Sequence, residues 1–164
     1  MSRTIRKLIV HHSAGAPYTT AEEIRRYHTA APPKGRGWRD IGYHRVIRQL
    51  APGADGWIVE PGRPDEQMGA HDDGQNADSV GVCICGDYTQ GPIPLSGLLV
   101  LLEELVTLCR RYGLTAADVE GHKENEPATT PTACPGFNPA YLRALVAAGL
   151  ELSGGGPEAT GSRA

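Results

Sequence analysis

The sequence lacks any long run of apolar residues, and this absence limits where the protein can act. None of its apolar stretches approaches the roughly 20 residues that a membrane-spanning helix needs. The basic amino terminus is followed only by Leu8-Ile9-Val10 before two histidines, which is too short for the core of a signal peptide. We therefore expect a chain that is made in the cytoplasm, has no signal peptide and has no membrane as a partner.

The sequence also lacks an excess of positive charge and a disulfide framework. The formal net charge is −3 and the sequence pI is about 6.1. A nucleic acid is therefore not expected as a partner, because non-specific binding to nucleic acids needs a basic surface. The four cysteines, Cys83, Cys85, Cys109 and Cys134, do not form a disulfide framework in a chain of 164 residues.

What the sequence does contain is an alternation of strand and helix patterns. Apolar runs and turn signals predict strands over residues 5–12, 43–50, 57–60, 79–86 and 118–120. Capping residues and helical spacing predict helices over residues 21–29, from a cap at Ser96 to Tyr112, and from a cap at Asn138 to Gly149. Residues 153–164 are rich in Gly, Pro and Ser and are predicted to be disordered. The alternation predicts a single α/β domain with a mixed sheet, over residues 1–152.

The residues with the clearest chemistry are His122 and Cys134. A polar loop rich in Pro and Thr separates them, and imidazole and thiolate are both good zinc ligands. Pro135 favours an extended backbone at Cys134, which suits a thiolate fixed at a loop corner. Because two ligands do not make a site, a third is expected from the strand end at His11 and His12. Only one of these neighbours can face a given site.

The remaining histidines have weaker claims to a ligand role, since a single histidine is more often a surface or hydrogen-bonded structural residue. His28 follows Tyr27 on a predicted helix, which favours a structural position or one at the rim of a site. His44 follows Tyr43 at a predicted strand, so only one of the two can face a cleft. His71 lies in a Gly-rich loop and is a candidate for contact with a ligand.

Cys83 and Cys85 form a second possible metal pair. Both would lie on one face of an apolar strand, where cysteine usually acts as a small hydrophobic residue. The sequence offers no matching second pair of cysteines. A core position is therefore the favoured interpretation for both.

Four stretches of the sequence carry a resemblance to a known family. They read IVHHSA at 9–14, GWRDIGYH at 37–44, GAHDDGQN at 69–76 with SVGV at 79–82, and GH at 121–122 with TACPG at 132–136. In this order they resemble the zinc-dependent N-acetylmuramoyl-L-alanine amidases, a family shared by amidase-type phage lysozymes and peptidoglycan recognition proteins. The resemblance spans about residues 5–148 and implies a central mixed β-sheet flanked by helices, in agreement with the predicted elements.

The resemblance also implies a zinc site. His11, His122 and Cys134 correspond to the family's zinc ligands, and His12 corresponds to a variable position. Three protein ligands leave a fourth zinc position open, as catalytic sites do. Zinc in such a site lowers the pKa of bound water to about 7 and polarises the carbonyl of the amide that joins the lactyl group to L-alanine.

Two further positions correspond to catalytic residues of the family. Tyr43 matches the active-site tyrosine, whose hydroxyl can donate to the tetrahedral oxyanion or pass a proton to the leaving amine. Thr132 occupies a second catalytic position, where short phage enzymes often have lysine and active recognition proteins commonly have threonine. It can help to position the oxyanion or the water. His71 and Asn76 are expected to line the groove that holds the glycan or the peptide stem.

The expected function is an N-acetylmuramoyl-L-alanine amidase that acts as a monomer on peptidoglycan with Zn²⁺ as cofactor. The absence of a signal peptide and of an added wall-binding domain favours a phage endolysin, which reaches the cell wall after release. The competing enzyme class is a bacterial wall-remodelling or recycling amidase. A binding-only recognition module is disfavoured because such modules usually lack the zinc-ligating cysteine, which is present here as Cys134. A regulatory protein that binds a polymerase or another partner remains an alternative that no feature of the sequence tests.

Overall fold

The computed structural model describes residues 3–125 and 131–154, which contain one mixed β-sheet of five strands. The strands are β1 (Lys7–His12), β2 (Arg45–Gln49), β3 (Trp57–Pro61), β4 (Ser79–Ile84) and β5 (Val119–Gly121). Their order in the sheet is β3-β2-β4-β1-β5. The hairpin of β2 and β3 is antiparallel, whereas the pairs β2–β4, β4–β1 and β1–β5 are parallel.

Three α-helices lie in the described residues: α1 (Ala21–Thr29), α2 (Leu95–Tyr112) and α3 (Pro139–Gly154). The predicted capping box starts α1, because Thr20 Oγ1 accepts from Glu23 N at 3.2 Å and Glu23 Oε2 accepts from Thr20 N at 2.8 Å. Gly113 ends α2, as predicted. Its φ of 67° is positive, which suits the left-handed cap of a helix. Across the described part of the chain, no helix combines the length and the apolar character that crossing a bilayer requires.

The predicted cap of α2 at Ser96 was wrong. The helix begins at Leu95, and the cap position is Pro94, which makes no side-chain capping hydrogen bond. The carbonyl of Pro94 already accepts from Leu98 N at 2.9 Å, so the helical hydrogen bonds begin before the Ser96 hydroxyl can act as a cap.

The predicted end of α3 at Gly149 was also wrong, since the helix continues to Gly154. A Cβ atom at position 149 would lie 2.9 Å from Val106 Cγ2. This glycine therefore serves the close packing of α3 on α2 and does not end the helix. The predicted disordered tail, residues 153–164, starts within this last turn, and residues 155–164 lie outside the described residues. The catalytic domain over residues 1–152 stays a prediction.

Helices cover both faces of the sheet. Successive strand residues point to opposite sides, and the strands carry buried apolar residues on each of them. On one face, buried residues of the strands pack against α2 and α3: Leu8, Val10, Ile47, Val80, Val82 and Ile84. On the other face, Val46 packs with α1 through Ala21 and Ile24. His11 alternates with Val10 and therefore lies on the α1 side of β1. The predicted α/β fold with a central mixed sheet flanked by helices is confirmed.

The side chain of Arg3 holds the long loop between β3 and β4 in place. Its guanidinium donates hydrogen bonds to five backbone carbonyls of the region, those of Asp65, Gln67, Asn76, Ala77 and Ser79. Charge-assisted hydrogen bonds of this kind are stronger than neutral ones. Arg3, near the amino terminus, thus fixes the loop that contains the GAHDDGQN stretch at residues 69–76.

Candidate metal centre

Two neighbouring parallel strands, β1 and β5, bring two histidines together. His11 lies near the end of β1 with its side chain buried, and His122 directly follows β5. The two rings lie 4.6 Å apart between centroids. Cys134, on the loop before α3, completes the group. The potential ligand atoms of the three side chains all lie within 4.8 Å of one another, and His11 Nδ1 is 3.7 Å from Cys134 Sγ.

The chemistry and the spacing of this group fit a zinc ion. Zinc binds histidine nitrogen at about 2.0–2.1 Å and cysteine sulfur at about 2.3 Å, so a tetrahedral site separates its ligand atoms by roughly 3.3–3.7 Å. The His11 to Cys134 distance already has this value, and a small approach by His122 would complete the geometry. Three such ligands leave one tetrahedral position for water or substrate.

His12 does not belong to this group, although its sequence position is as suggestive as that of His11. The strand turns its side chain to the opposite face, where His12 Nδ1 accepts from Tyr88 N at 3.2 Å and lies 3.7 Å from Asp87 Oδ1. The backbone of His12 still contributes, since its N–H donates to Cys134 Sγ at 3.4 Å. The pattern of the sequence left this choice open, and the face of the sheet on which each side chain of β1 lies decides it.

The electrostatics of the group favour neutral ligands before a metal binds. Burial lowers the pKa of His11 well below its ordinary value. Burial also lowers the pKa of His122, although the Asp72 carboxylate opposes that shift. Burial raises the pKa of Cys134 to about 11, so the thiol is protonated at neutral pH and must release its proton to a metal.

Tyr43 lies beside the group, just before β2. Its ring centroid is 5.2 Å from that of His11 and 5.6 Å from that of His28. Burial, together with the nearby thiols of Cys83 and Cys134, raises the pKa of Tyr43 well above its ordinary value. The phenol therefore keeps its proton and can donate a hydrogen bond. Tyr43 also borders a cleft of about 240 Å³, whose lining includes Ser13, Thr19, Glu23, Tyr27, His28 and Arg36.

Thr132 is half-buried and lies beside the third member of the group. Its Oγ1 accepts from Cys134 N at 3.1 Å, and Lys123 N donates to Cys134 O at 2.8 Å. Two hydrogen bonds thus hold the backbone of Cys134 in place. Because the bond from Cys134 uses only a lone pair of the threonine hydroxyl, its hydrogen is left for another acceptor.

His71 and Asn76, predicted from the resemblance to contact substrate, both have partners inside the protein. The buried ring of His71 places Nδ1 at 3.1 Å from His11 Nε2 and Nε2 at 3.3 Å from Ser79 Oγ. Asn76 Oδ1 accepts from His71 N at 2.8 Å and from Asp72 N at 3.1 Å. Contact of these two residues with substrate stays a prediction.

Sequence reasoning missed Asp72 and Ser79. Asp72 is buried, and its Oδ1 lies 3.7 Å from His122 Nε2 while its Oδ2 accepts from Asn125 Nδ2. Burial raises the pKa of Asp72, and His122 opposes that shift. The signal available in the sequence was a carboxylate directly after the candidate His71, but two adjacent aspartates in a loop are typical of a solvated surface.

Cys83 and Cys85 are buried in or next to β4, as expected for core cysteines, and neither belongs to the ligand group. Cys85 Sγ donates to Thr19 O at 3.2 Å. Cys83 is the register partner of His11 in the parallel pair of β4 and β1. The core interpretation of both residues agrees with this placement.

The fold and the His-His-Cys group together define an α/β protein with a candidate metal centre at the ends of two parallel strands. A family model described as N-acetylmuramoyl-L-alanine amidase matches residues 1–137. The chain belongs to this N-acetylmuramoyl-L-alanine amidase family, and the resemblance inferred from its four stretches is confirmed.

Individual relatives agree with this membership. The endolysin of Escherichia phage T7 is 35% identical over 141 residues, which cover 80% of this chain and 80% of the endolysin. Peptidoglycan-recognition protein SC2 of Drosophila melanogaster is 30% identical over 140 residues, covering 79% of this chain and 67% of that protein. Among solved structures, the N-acetylmuramoyl-L-alanine amidase LysC from Clostridium intestinale superposes with a TM-score of 0.69 at 27% identity, covering 87% of this chain and 85% of LysC.

Proposed function

We propose that the chain is a phage endolysin that hydrolyses the amide between the lactyl group and L-alanine of peptidoglycan, with a zinc ion held by His11, His122 and Cys134. The observation that carries this proposal is the convergence of these three side chains to within 4.8 Å beside Tyr43. The amidase family and the similarity to the endolysin of phage T7 support the reaction and the biological role.

Each ligand residue has a defined part in this proposal. Zinc bound there supplies a Lewis acid that acidifies a water molecule and polarises the scissile carbonyl. His11 and His122 enter as neutral imidazoles, as their lowered pKa values favour. Cys134 enters as a thiolate, and the N–H of His12 is placed to stabilise the negative charge on its sulfur at 3.4 Å.

Tyr43 is the proposed donor to the oxyanion that forms when water adds to the carbonyl. Its raised pKa keeps the phenol protonated through the neutral range, so the hydroxyl is a hydrogen-bond donor throughout. A fixed donor of this kind typically contributes about 10²–10³ in turnover. The same proton can pass to the leaving amine of L-alanine.

Thr132 is the proposed second contributor. Its hydroxyl is oriented by Cys134 N, and the hydrogen that this bond leaves is available to the water or the oxyanion. The peptide stem or the glycan is proposed to bind in the cleft next to Tyr43. Arg36 and Glu23 offer charges of both signs there, and Tyr27 offers an aromatic surface.

The test combines metal content with product chemistry. Purified protein should contain one zinc per chain by elemental analysis and should release stem peptides with a free L-alanine amino group from isolated cell walls. Cys134→Ala should lose both properties, whereas Cys109→Ala, which changes a buried thiol in α2, should keep both. Binding to cell walls without release of peptides would contradict the proposal and would indicate a recognition module.

A further inference from the structure

We propose that His71 and Asp72 are positioning residues that fix which ring nitrogen each of the two histidines, His11 and His122, presents to the metal. The inference rests on the proposed zinc site. It assigns a role to two residues that are not ligands themselves but lie next to the ligand histidines. In zinc proteins, a hydrogen bond to the second nitrogen of a ligand histidine sets the tautomer and the orientation of the ring.

The tautomer of His11 follows from a chain of hydrogen bonds that ends at a backbone carbonyl. Ser79 Oγ lies 2.6 Å from Gln75 O, which can only accept, so the single hydroxyl hydrogen of Ser79 is used there. Ser79 Oγ must then accept from His71 Nε2, at 3.3 Å, which makes His71 Nδ1 the unprotonated nitrogen. His11 Nε2 donates to it at 3.1 Å. The lone pair of His11 is therefore on Nδ1, the atom 3.7 Å from Cys134 Sγ.

The backbone around His71 is shaped to hold its ring. A Cβ atom at Gly81 would lie 2.4 Å from His71 Cδ2, and one at Gly69 would lie 2.5 Å from the same atom. Contacts below 3.0 Å force a neighbour to shift, so glycine at both positions leaves the space of a Cβ atom to the imidazole. The ring thus packs closely against the backbone of β4 and of its own loop, which favours the orientation that its hydrogen bonds to His11 and Ser79 require.

Asp72 faces the other histidine of the group. Its Oδ1 lies 3.7 Å from His122 Nε2, and its Oδ2 is held by Asn125 Nδ2. A carboxylate at this place favours a hydrogen on His122 Nε2 and so leaves Nδ1 for the metal. Asp72 is 7% exposed, which makes its charge more effective than that of a surface carboxylate.

Asn76 joins the two positioning residues into one unit. Its Oδ1 accepts from His71 N at 2.8 Å and from Asp72 N at 3.1 Å. Both backbone positions are therefore set by one amide group. Through this unit the loop delivers an acceptor to His11 and a carboxylate to His122 from adjacent residues of the chain.

The decisive experiment compares two polar variants of His71. His71→Asn places an oxygen near the position of Nδ1 and can still accept from His11, whereas His71→Gln places its polar atoms near Nε2 and keeps only the Ser79 side. We expect His71→Gln to weaken zinc binding 10–100-fold, measured by competition with a chelator, and His71→Asn to stay within about threefold of the wild type. If His71 acted only through Ser79, His71→Gln would bind zinc more tightly than His71→Asn. If it acted only through packing, the zinc affinities of the two variants would show no such ranking.

Asp72 has a matched control in its exposed neighbour Asp73. Asp72→Asn keeps the shape and removes the charge, and should weaken zinc binding about 10-fold, toward the lower end of the range for such partners. Asp73→Asn should leave the affinity unchanged. Cobalt substitution provides a second readout, because a retained thiolate-to-cobalt absorption band shows that Cys134 still binds and that only the histidines have shifted.

The outcomes separate this inference from the proposed function. A wild-type protein that binds no zinc would refute the proposed metal centre itself. A wild type that binds zinc, with His71→Gln and Asp72→Asn binding it equally tightly, would leave the metal centre intact and overturn the positioning role. Weaker binding in both, with His71→Asn and Asp73→Asn near the wild type, supports it.

Discussion

The ring of Tyr43 lies beside that of His11, with centroids 5.2 Å apart and planes inclined at 49°. This arrangement places a phenol next to a proposed metal ligand and on the border of a cleft of about 240 Å³. Because burial keeps the phenol protonated, Tyr43 is suited to donate to an oxygen that develops negative charge near His11.

Replacing this hydroxyl should therefore affect turnover and spare the metal. Tyr43→Phe should lower kcat by about 10²–10³, because one donor to the oxyanion is lost, while zinc content stays at the wild-type level. Release of peptides from cell walls and elemental analysis of the same sample are the two measurements. Tyr141→Phe, which changes an exposed tyrosine of α3 away from the cleft, is the control. Wild-type turnover in Tyr43→Phe would show that the hydroxyl has no part in catalysis.

Thr132 offers a paired test of its hydroxyl. Thr132→Val removes both the acceptor for Cys134 N and the donor proposed for the reaction, whereas Thr132→Ser keeps both. We expect turnover to fall in the valine variant and to remain near the wild type in the serine variant, with zinc retained in both. Equal rates in the two variants would remove Thr132 from the proposed catalytic site.

A lysine at the same position tests the charge requirement of the reaction. Thr132→Lys introduces a cation beside the developing oxyanion, and a cation stabilises the transition state more than the neutral ground state. Turnover should be kept or raised near neutral pH. If the new amine has become essential, turnover should fall at high pH as the lysine loses its proton. A rate profile across pH that matches the wild type would place residue 132 too far from the oxyanion.

Two buried histidines outside the ligand group predict the pH dependence of stability. Burial lowers the pKa of His28 and of His44 to about 4, from 6.5. A lowered pKa means that the folded state prefers the neutral ring, so its stabilising contribution is complete above pH 6.5 and is lost as the pH falls through 4. For His44 this contribution is on the order of 3 kcal/mol.

The corresponding experiment is urea unfolding at several pH values between 7 and 4. His44→Asn keeps an acceptor for Gly81 N, which donates to His44 Nδ1 at 2.9 Å, but removes the titrating ring. The variant should be less stable at pH 7 and should lose less of its free energy of unfolding on acidification than the wild type. Parallel curves for the two proteins would contradict the assignment of this pH dependence to His44.

The close contacts around the His71 ring predict how one added methyl group at position 81 changes the stability of the protein. Gly81→Ala places a Cβ atom 2.4 Å from His71 and should lower the free energy of unfolding by about 1–3 kcal/mol, as overpacking typically does. Gly91→Ala is the matched control, because nothing lies within 4 Å of the added atom there. Thermal or urea unfolding measures both. Equal stability of the two variants would show that His71 can move away without cost.

The elements of the fold were largely predictable because their signals are local. The capping box at Thr20 and Glu23 and the glycine at Gly113 act within one turn of their helices, and both were read from the sequence. Ser96 failed as a cap because the preceding Pro94 already starts the helix. Gly149 failed as a helix end because its role is contact with α2, a tertiary effect that no local pattern reveals.

The candidate site was predictable only in part, for a similar reason. His122 and Cys134 stand out by residue type and motif, and Tyr43 by family resemblance. The choice between His11 and His12 depends on which face of the sheet each strand residue takes. The partners of His71 and Asp72 depend on how the loop after β3 folds back, and this in turn depends on Arg3 from the far end of the chain. Such long-range contacts leave no period or spacing in the sequence.

The alternation along β1 has a practical consequence for engineering. Leu8 and Val10 enter the core with α2 and α3, whereas His11 faces the opposite side. Substitutions on the α2–α3 side can therefore change resistance to heat without touching the proposed metal ligand. Libraries for a more durable cell-wall hydrolase are best built on that side of the sheet, and libraries for altered wall preference on the cleft beside Tyr43.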